Sequence, residues 1–200
     1  MGLRCRRKWL ARRWRFVGVR ACSNELVEGS YVGNYEQYGI CVDKQKFNFC
    51  AAHFLIFEDG TREELHGHNY HVTVDVEGEL SGGDLVVDFI PFKPMVKALC
   101  DELDHCMLIP AQNEKIEYEL REGNVYLSFD ADRFTFPARD VRILPIPNTS
   151  TECLARYLAH AMREKIWSDF SDVQLTRLKV AVSESPGQAG WYACSLQRED

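Results

Sequence analysis

The sequence predicts an α+β fold in which two helices cover one face of a four-stranded antiparallel sheet. Residues 46–78 place apolar side chains at a period of two on both sides of an EDGT turn, which is typical of a hairpin. Two later segments have apolar side chains at helical spacing, and the chain closes with two more alternating segments. With 200 residues, 46% of them hydrophobic, the chain suffices for one domain with a core.

The first predicted hairpin joins residues 46–57 to residues 65–78 through the turn at 58–61. One face of its first strand carries Phe47, Phe49, Ala51, His53, Leu55 and Phe57. One face of its second strand carries His66, His68, Tyr70, Val72, Val74 and Val76. Strands of this length and regularity predict a long antiparallel pair.

The first helix is predicted from Asp88 to Leu103, with Pro91 near its start. Residues 114–137 alternate around EGN and predict a smaller, inserted hairpin. The second helix follows in PNTSTECLARYLAHAMREKIW, where Thr149 and Glu152 have the spacing of a capping box. The chain then closes with two strands around SPGQA, so the predicted order is hairpin, helix, small hairpin, helix, hairpin.

The first 24 residues contain eight Lys or Arg and no acid, whereas 30 acidic residues follow them. We predict that residues 1–38 are a basic extension without stable structure and that residues 39–200 form the folded domain. Such a start can also be an organelle transit peptide, a nucleic-acid-binding arm or a translation start assigned too early. We predict that the protein is cytoplasmic. Targeting to an organelle through the basic extension is the alternative.

The composition of the chain argues against several classes of protein. No apolar stretch reaches the roughly 18 residues of a membrane span, so no membrane partner is expected. The acidic body argues against nucleic-acid binding by the fold itself. The eight cysteines are scattered without a CxxC motif, which favours reduced intracellular thiols over a disulfide framework.

Three histidines form a candidate metal site. His66 and His68 are two residues apart on a predicted strand, so their rings point to one side. His53 lies near the same end of the paired strand. Three histidine ligands with an open fourth position are the arrangement of catalytic zinc. The alternative is a set of partly exposed polar residues at a strand end.

Two further features are candidates for chemistry. Asp104 can orient the adjacent His105 and raise its basicity, although a histidine at a helix C-terminus also favours the helix dipole. Glu184 ends the apolar strand face formed by Leu178, Val180 and Val182. A carboxylate there needs a donor-rich partner, either a structural Arg or a ligand with N–H and NH2 groups on one edge.

Six motifs, in order, resemble the 6-pyruvoyl-tetrahydropterin synthase / 6-carboxy-tetrahydropterin synthase family: FCAAHF, LHGHNYHVTV, GGDLVVDFIPFK, LDHCML, PNTSTECLA and VSESPGQAGWY. The resemblance runs from about Phe47 to Leu196. It implies the tunnelling fold, with a four-stranded antiparallel sheet and two helices on one side. It also implies a homo-oligomer, usually a hexamer of two stacked trimers, with active sites between subunits.

The resemblance also implies roles for individual residues. The zinc ligands are His53, His66 and His68. Asp104 and His105 match the catalytic Asp–His pair, and Glu184 matches the glutamate that anchors the pterin ring. Thr151 and Glu152, in TSTE, match the segment that helps to hold the pterin edge, although Glu152 also suits the capping box.

One departure from the family pattern bears on the reaction. Members of the usual type have a cysteine four residues before the first histidine of HGH, and here that residue is Arg62. In one branch a nearby glutamate replaces the cysteine, and Glu63 is the best candidate, with Glu64 second. That branch converts 7,8-dihydroneopterin triphosphate to the folate precursor 6-hydroxymethyl-7,8-dihydropterin. The alternatives are a pyruvoyl- or carboxy-tetrahydropterin synthase, for biopterin or queuosine-type products, and an inactive zinc- and pterin-binding oligomer.

Overall fold

The computed structural model describes residues 36–198. The prediction for residues 1–38 lies outside this range except at its last three positions, of which Tyr38 already begins a strand. The helices are α1, Phe89–Leu103, and α2, Thr151–Asp169. The strands are β1 Tyr38–His53, β2 His66–Gly78, β3 Cys106–Pro110, β4 Ile116–Arg121, β5 Asn124–Phe129, β6 Asp132–Pro137, β7 Val141–Leu144, β8 Leu175–Ser185 and β9 Gln188–Ser195.

The main sheet contains the predicted antiparallel arrangement and extends it. Its strand order is β7-β3-β1-β2-β8-β9, and β1, β2, β8 and β9 are the four predicted antiparallel strands. At the other side of β1, β3 and β7 add two parallel strands that the sequence did not predict. All five residues of β3 are buried, and a short strand buried on both faces shows no alternation that could reveal it.

Strand β1 starts at Tyr38, earlier than the predicted residue 46, and an irregularity in the strand explains why its first part was not predicted. Its register against β2 shifts between Asp43 and Asn48, so the period of two is interrupted before Phe47. Beyond the shift, the alternation is regular up to the facing pair His53 and His66. The predicted hairpin is therefore confirmed over the part that carries the histidines.

Both helices cover the same face of the sheet, as predicted. Phe92, Val96 and Leu99 of α1 and Leu154 and Leu158 of α2 are buried in one cluster with the inward side chains of the strands. Asp88 caps α1 by accepting a hydrogen bond from the Ile90 backbone N–H. Within residues 36–198, no helix combines the length and hydropathy that crossing a membrane requires.

The capping box predicted at Thr149 is wrong. Ser150 is the N-cap of α2, and its hydroxyl accepts a hydrogen bond from the Cys153 backbone N–H at 3.3 Å. Thr149 is fully buried, and its hydroxyl donates instead to the Phe54 carbonyl at 3.0 Å. Adjacent hydroxyl residues can both cap a helix, and here the tertiary contact with Phe54 decides between them.

The inserted hairpin predicted at about residues 114–137 is instead a three-stranded antiparallel sheet, β4-β5-β6. A second turn at Asp130, which has a positive φ of 48°, divides the predicted second strand in two. Val125 and Leu127 of β5 pack in one cluster with Met107 and Ile109 of β3. The inserted sheet therefore covers the face of β3 that is turned away from the helices.

Candidate metal and pterin site

Antiparallel pairing of β1 and β2 brings the three predicted metal ligands together. His53 faces His66 and Ala51 faces His68, so all three rings lie on the helix-covered face at one end of the pair. The ring centroid of His53 lies 4.7 Å from that of His66 and 5.2 Å from that of His68. One nitrogen of each ring lies within 4.8 Å of the others, a spacing that allows all three to bind one metal ion.

The surroundings of His53 prepare its Nε2 as a ligand atom. His53 Nδ1 lies 3.2 Å from both the carbonyl and the hydroxyl oxygen of Thr149. The Thr149 carbonyl can only accept, so Nδ1 carries the proton and the lone pair is on Nε2. Nε2 is buried and has no hydrogen-bond partner within the described residues 36–198. An unpaired buried nitrogen is costly, and a metal ion would satisfy it.

The pKa of His53 favours the neutral form that metal binding requires. Burial, reinforced by the neighbouring His66 and His68, lowers the pKa of His53 to about 4. His66 also has a defined tautomer, because its Nδ1 donates to the Glu64 carbonyl at 2.8 Å. The Nε2 lone pair of His66 is thereby left for a ligand.

Glu63 and Glu64 differ in their positions relative to the histidines. One carboxylate oxygen of Glu63, Oε2, lies 3.8 Å from His66 Nε2 and also accepts a hydrogen bond from the Leu55 backbone N–H at 3.2 Å. Glu64 is exposed, and its recorded contact with His66 is made by its backbone carbonyl. The carboxylate next to the ligand nitrogens is therefore that of Glu63.

The Asp104–His105 pair is built as a unit. Asp104 accepts hydrogen bonds from the Cys50 backbone N–H at 2.7 Å and from His105 Nδ1 at 2.9 Å. The Cys50 N–H and then His105 hold the pKa of Asp104 below its usual value. His105 has a positive φ of 57°, and its backbone N–H donates to the Cys50 carbonyl at 2.6 Å. This geometry fixes an exposed imidazole whose Nε2 is available.

Within one chain, the Asp104–His105 pair does not lie next to the three histidines. His105 lines a depression together with Cys50, Ala52 and Gly67. Cys50, Ala52 and Gly67 alternate with His53, His66 and His68 along the paired strands and belong to the opposite face of the sheet, whereas Ala51, on the histidine face, also lines the depression. None of the three histidines lines it.

Glu184 lies at a cleft that His68 also lines. The cleft has a volume of about 680 Å³ and is lined by Gly67, His68, Asn69, His71 and residues 183–186. Within residues 36–198, no hydrogen bond or ion pair engages the Glu184 carboxylate, so the predicted alternative of a structural Arg partner is not observed. The cleft has the volume of a small-molecule site. Its lining combines His68, on the helix-covered face, with Gly67, Asn69 and His71, which alternate with the histidines and belong to the opposite face.

Comparison with known proteins decides the family. The model of the 6-pyruvoyl tetrahydropterin synthase family matches residues 42–194. This chain belongs to that family. A putative 6-carboxy-5,6,7,8-tetrahydropterin synthase of Methanocaldococcus jannaschii is 36% identical over 151 residues, which cover 74% of this chain and 91% of the relative.

Solved structures of the family have the same fold. A Plasmodium vivax 6-pyruvoyltetrahydropterin synthase, in a variant that replaces a catalytic glutamate by alanine, superposes with a TM-score of 0.75 at 30% identity. The match covers 80% of this chain and 99% of that one. A dihydroneopterin monophosphate aldolase of Pyrococcus furiosus is 45% identical over 58 residues, 29% of this chain and 48% of the relative. The predicted tunnelling fold is thus confirmed.

The TSTE segment of this family member lies at the start of α2. Thr151 and Glu152 occupy its first turn, and the Thr151 hydroxyl lies 3.3 Å from a carboxylate oxygen of Glu152. β9 packs closely against this turn, because a Cβ on Gly190 would lie 2.4 Å from the Thr151 hydroxyl oxygen. The absence of a side chain at Gly190 therefore allows α2 to approach the sheet.

Two residues next to the histidines were not predicted from the sequence as parts of the site. Thr149, assigned to a helix cap, supports His53 instead. Tyr70, named in the sequence analysis only as part of a strand face, is fully buried beside the His53 and His68 rings, and its hydroxyl has no hydrogen-bond partner among residues 36–198. Burial and the charges of Glu184 and Glu63 raise the pKa of Tyr70. Its position two residues after His68, on the same strand face, was the available signal.

Proposed function

We propose that this chain is a zinc-dependent enzyme that acts on 7,8-dihydroneopterin triphosphate and cleaves its side chain to yield 6-hydroxymethyl-7,8-dihydropterin. The observation that carries the proposal is the Glu63 carboxylate, 3.8 Å from the ligand nitrogen of His66, in a chain with Arg62 where the usual members have cysteine. A carboxylate at this place is a base suited to a hydroxyl proton.

His53, His66 and His68 fit zinc because two of the rings have their Nδ1 protons engaged by oxygen acceptors and leave Nε2 for the metal. Three histidine ligands leave a coordination position open for substrate. Bound zinc would polarise the side-chain oxygens of the pterin substrate as a Lewis acid.

Glu63 accepts the proton of a side-chain hydroxyl. The carbon–carbon bond between the two hydroxyl-bearing carbons then breaks, and a carbonyl forms on the departing phosphorylated fragment. The carbon that stays attached to the pterin keeps the electron pair and takes up a proton, which leaves a hydroxymethyl group. The reaction needs no oxidant, because the leaving aldehyde and the hydroxymethyl product balance the substrate.

Glu184 holds the pterin ring by accepting its ring N–H and amino hydrogens. The cleft supports this assignment, because His68 and Glu184 both line it. Thr151 and Glu152 hold the edge of the ring from the start of α2. Hydrogen bonds from a neutral donor to a charged acceptor contribute about 1.5–3 kcal/mol each, so Glu184 is the main anchor.

Asp104 and His105 act on substrate bound at another subunit. His105 lines a depression that contains none of the three histidines, so we infer that an oligomer completes the site. The hexamer of stacked trimers implied by the family resemblance is the assembly that we propose.

Relatives support cleavage and also supply the second candidate. These relatives include a dihydroneopterin monophosphate aldolase from Pyrococcus furiosus and Plasmodium vivax synthases in which a catalytic glutamate is replaced by alanine or by cysteine. The Methanocaldococcus jannaschii relative is named as a putative 6-carboxy-5,6,7,8-tetrahydropterin synthase, which favours formation of a carboxy or pyruvoyl product as the alternative.

Product identification tests the proposal. Purified zinc-loaded protein is incubated with 7,8-dihydroneopterin triphosphate, and the pterins are separated and identified by mass. We expect 6-hydroxymethyl-7,8-dihydropterin. A pyruvoyl or carboxy product would establish the second candidate, and tight pterin binding without turnover would establish an inactive binding protein.

A further inference from the structure

Arg62 connects the loop before β2 to the inserted sheet. Only 19% of its side chain is exposed, although arginine is usually a surface residue. Its Nη1 donates to the backbone carbonyl of Glu63 at 2.7 Å. The side chain therefore contacts the residue that carries the proposed base.

Asp132, the first residue of β6, binds the other side of the same guanidinium. Arg62 Nε and Nη2 lie 2.9 and 2.5 Å from one carboxylate oxygen of Asp132. Such charge-assisted hydrogen bonds are stronger than neutral ones, and they consume donors that would otherwise need a partner. The pair links positions 70 residues apart in sequence.

Two aromatic rings restrict the guanidinium further. Its central carbon lies 5.2 Å from the ring centroid of Phe54 and 5.1 Å from that of Phe134. Phe54 directly follows the metal ligand His53, whereas Phe134 belongs to the inserted sheet, and the two rings are stacked with centroids 5.8 Å apart. Cation–π contacts with both rings favour a single position for Arg62.

Glu63 is held at three points. Its backbone N–H donates to the Leu55 carbonyl at 3.0 Å, its carboxylate accepts from the Leu55 N–H at 3.2 Å, and its carbonyl accepts from Arg62. The first two contacts come from the hairpin itself. The third is the only hydrogen bond from a side chain to the Glu63 backbone in the described part of the chain. Asp132 binds the same guanidinium and so helps to orient it.

We propose that Arg62 and Asp132 are positioning residues that hold Glu63 in reach of the metal-bound substrate, so that the inserted sheet contributes to catalysis. Asp132 also engages the guanidinium that would otherwise be free to pair with the Glu63 carboxylate and block the base. This inference rests on the proposed function, because it takes Glu63 to be the base.

The test compares Asp132→Asn, Arg62→Ala and the double variant, all as zinc-loaded oligomers. Asp132→Asn keeps the size of the side chain and removes the charge that binds Arg62. Glu119→Gln is the matched control, since it makes the same change on the outer, exposed side of the inserted sheet. The readouts are kcat, KM, zinc content and hydrogen–deuterium exchange of residues 61–66.

We expect each single variant to lower kcat about tenfold or more, because small displacements of a catalytic group are costly. KM and zinc content should stay near those of the parent protein, and exchange at residues 61–66 should rise. The kcat of the double variant should be no lower than that of the slower single variant, since both changes remove the same Arg62–Asp132 interaction. A purely structural role would instead reduce zinc content and thermal stability together with kcat.

Two results would overturn the inference: a kcat for Asp132→Asn equal to that of Glu119→Gln, or effects of the two single changes that simply multiply. Failure of the proposed function has a separate signature. If the parent protein binds zinc but does not turn over the triphosphate, the exchange data alone decide whether Arg62 and Asp132 hold Glu63 in position. Unchanged exchange then refutes it, and raised exchange at residues 61–66 supports it.

Discussion

The carboxylates of Glu63 and Glu64 are neighbours in sequence but have different surroundings. That of Glu63 contacts the Leu55 N–H and lies beside His66, whereas Glu64 is exposed. Successive residues in extended backbone point to opposite sides, so one of the two is directed inward.

We expect Glu63→Gln to lower turnover by roughly 10²-fold or more, the usual range for loss of a general base, while zinc content stays constant. The amide keeps the shape of the side chain but cannot accept the proton. Glu64→Gln is the matched control and should have little effect. A slow Glu64→Gln enzyme beside a normal Glu63→Gln enzyme would transfer the role to Glu64.

Zinc content tests the ligands and their support. Parent protein should bind about one zinc per chain, and His66→Ala should lose most of it. Thr149→Val removes the hydroxyl acceptor 3.2 Å from His53 Nδ1, and supporting contacts of this kind are typically worth about 10–100-fold in metal affinity. His71→Ala is the control, because His71 pairs with Asp43 away from the metal site. Full zinc content in His66→Ala would refute the site.

The pKa of His53 predicts a pH dependence for the zinc-free protein. The pKa is about 4 in the folded chain and near 6.5 when unfolded, so below pH 6.5 the unfolded state binds the extra proton. The free energy of unfolding should therefore fall as pH drops from about 6.5 to 4, by on the order of 2–3 kcal/mol. Urea denaturation with chelator at pH 7 and pH 4.5 measures it. His53→Gln should lack this component, and an equal pH dependence in that variant would contradict the assignment.

At the scale of elements, the approach of α2 to β9 positions the residues assigned to the pterin edge. An alanine Cβ at Gly190 would lie 2.4 Å from the Thr151 hydroxyl oxygen and 2.6 Å from the Glu152 nitrogen, and the second of these atoms is backbone. The start of α2 must move to accommodate it.

We expect Gly190→Ala to reduce the free energy of unfolding by about 1–3 kcal/mol, the range for overpacking, and to weaken pterin binding. Thermal denaturation and pterin titration measure the two effects. Gly82→Ala is the control, since a Cβ there meets no atom within 4 Å. Normal stability in Gly190→Ala would show that the helix moves at little cost.

At the scale of the whole molecule, two features of the single chain fit assembly with further copies. His105 lines a depression that contains none of the three histidines, and the outer strands β7 and β9 have unpaired edges within the described residues. Trp191 on β9 is 57% exposed. Strand edges of this kind are normally covered or paired, which fits assembly with further copies.

Hybrid oligomers test the shared site. His66→Ala and His105→Ala should each be inactive alone, and mixed oligomers should regain part of the activity, because one subunit can supply the metal ligands and its neighbour the imidazole. Mixing each variant with itself is the control. Mixed oligomers without activity, or a fully active monomer in sedimentation experiments, would contradict a site between subunits.

The sequence by itself determined the convergence of His53, His66 and His68 and the order of the main hairpins, helices and final strands. Alternation with a period of two and antiparallel pairing are local properties, so they place His53 opposite His66 without knowledge of the rest of the chain. By resemblance, the motifs also predict roles for Asp104, His105 and Glu184, and these roles stay predictions. The parallel strands β3 and β7 were missed because buried strands do not alternate.

Only the tertiary structure decided which contacts surround the triad. Thr149 supports His53 across 96 positions, and Asp132 holds Arg62 across 70. No local period encodes such pairs, because they depend on how separate elements pack. The same packing sets Glu63 apart from Glu64 and places His105 at a depression that contains none of the three histidines.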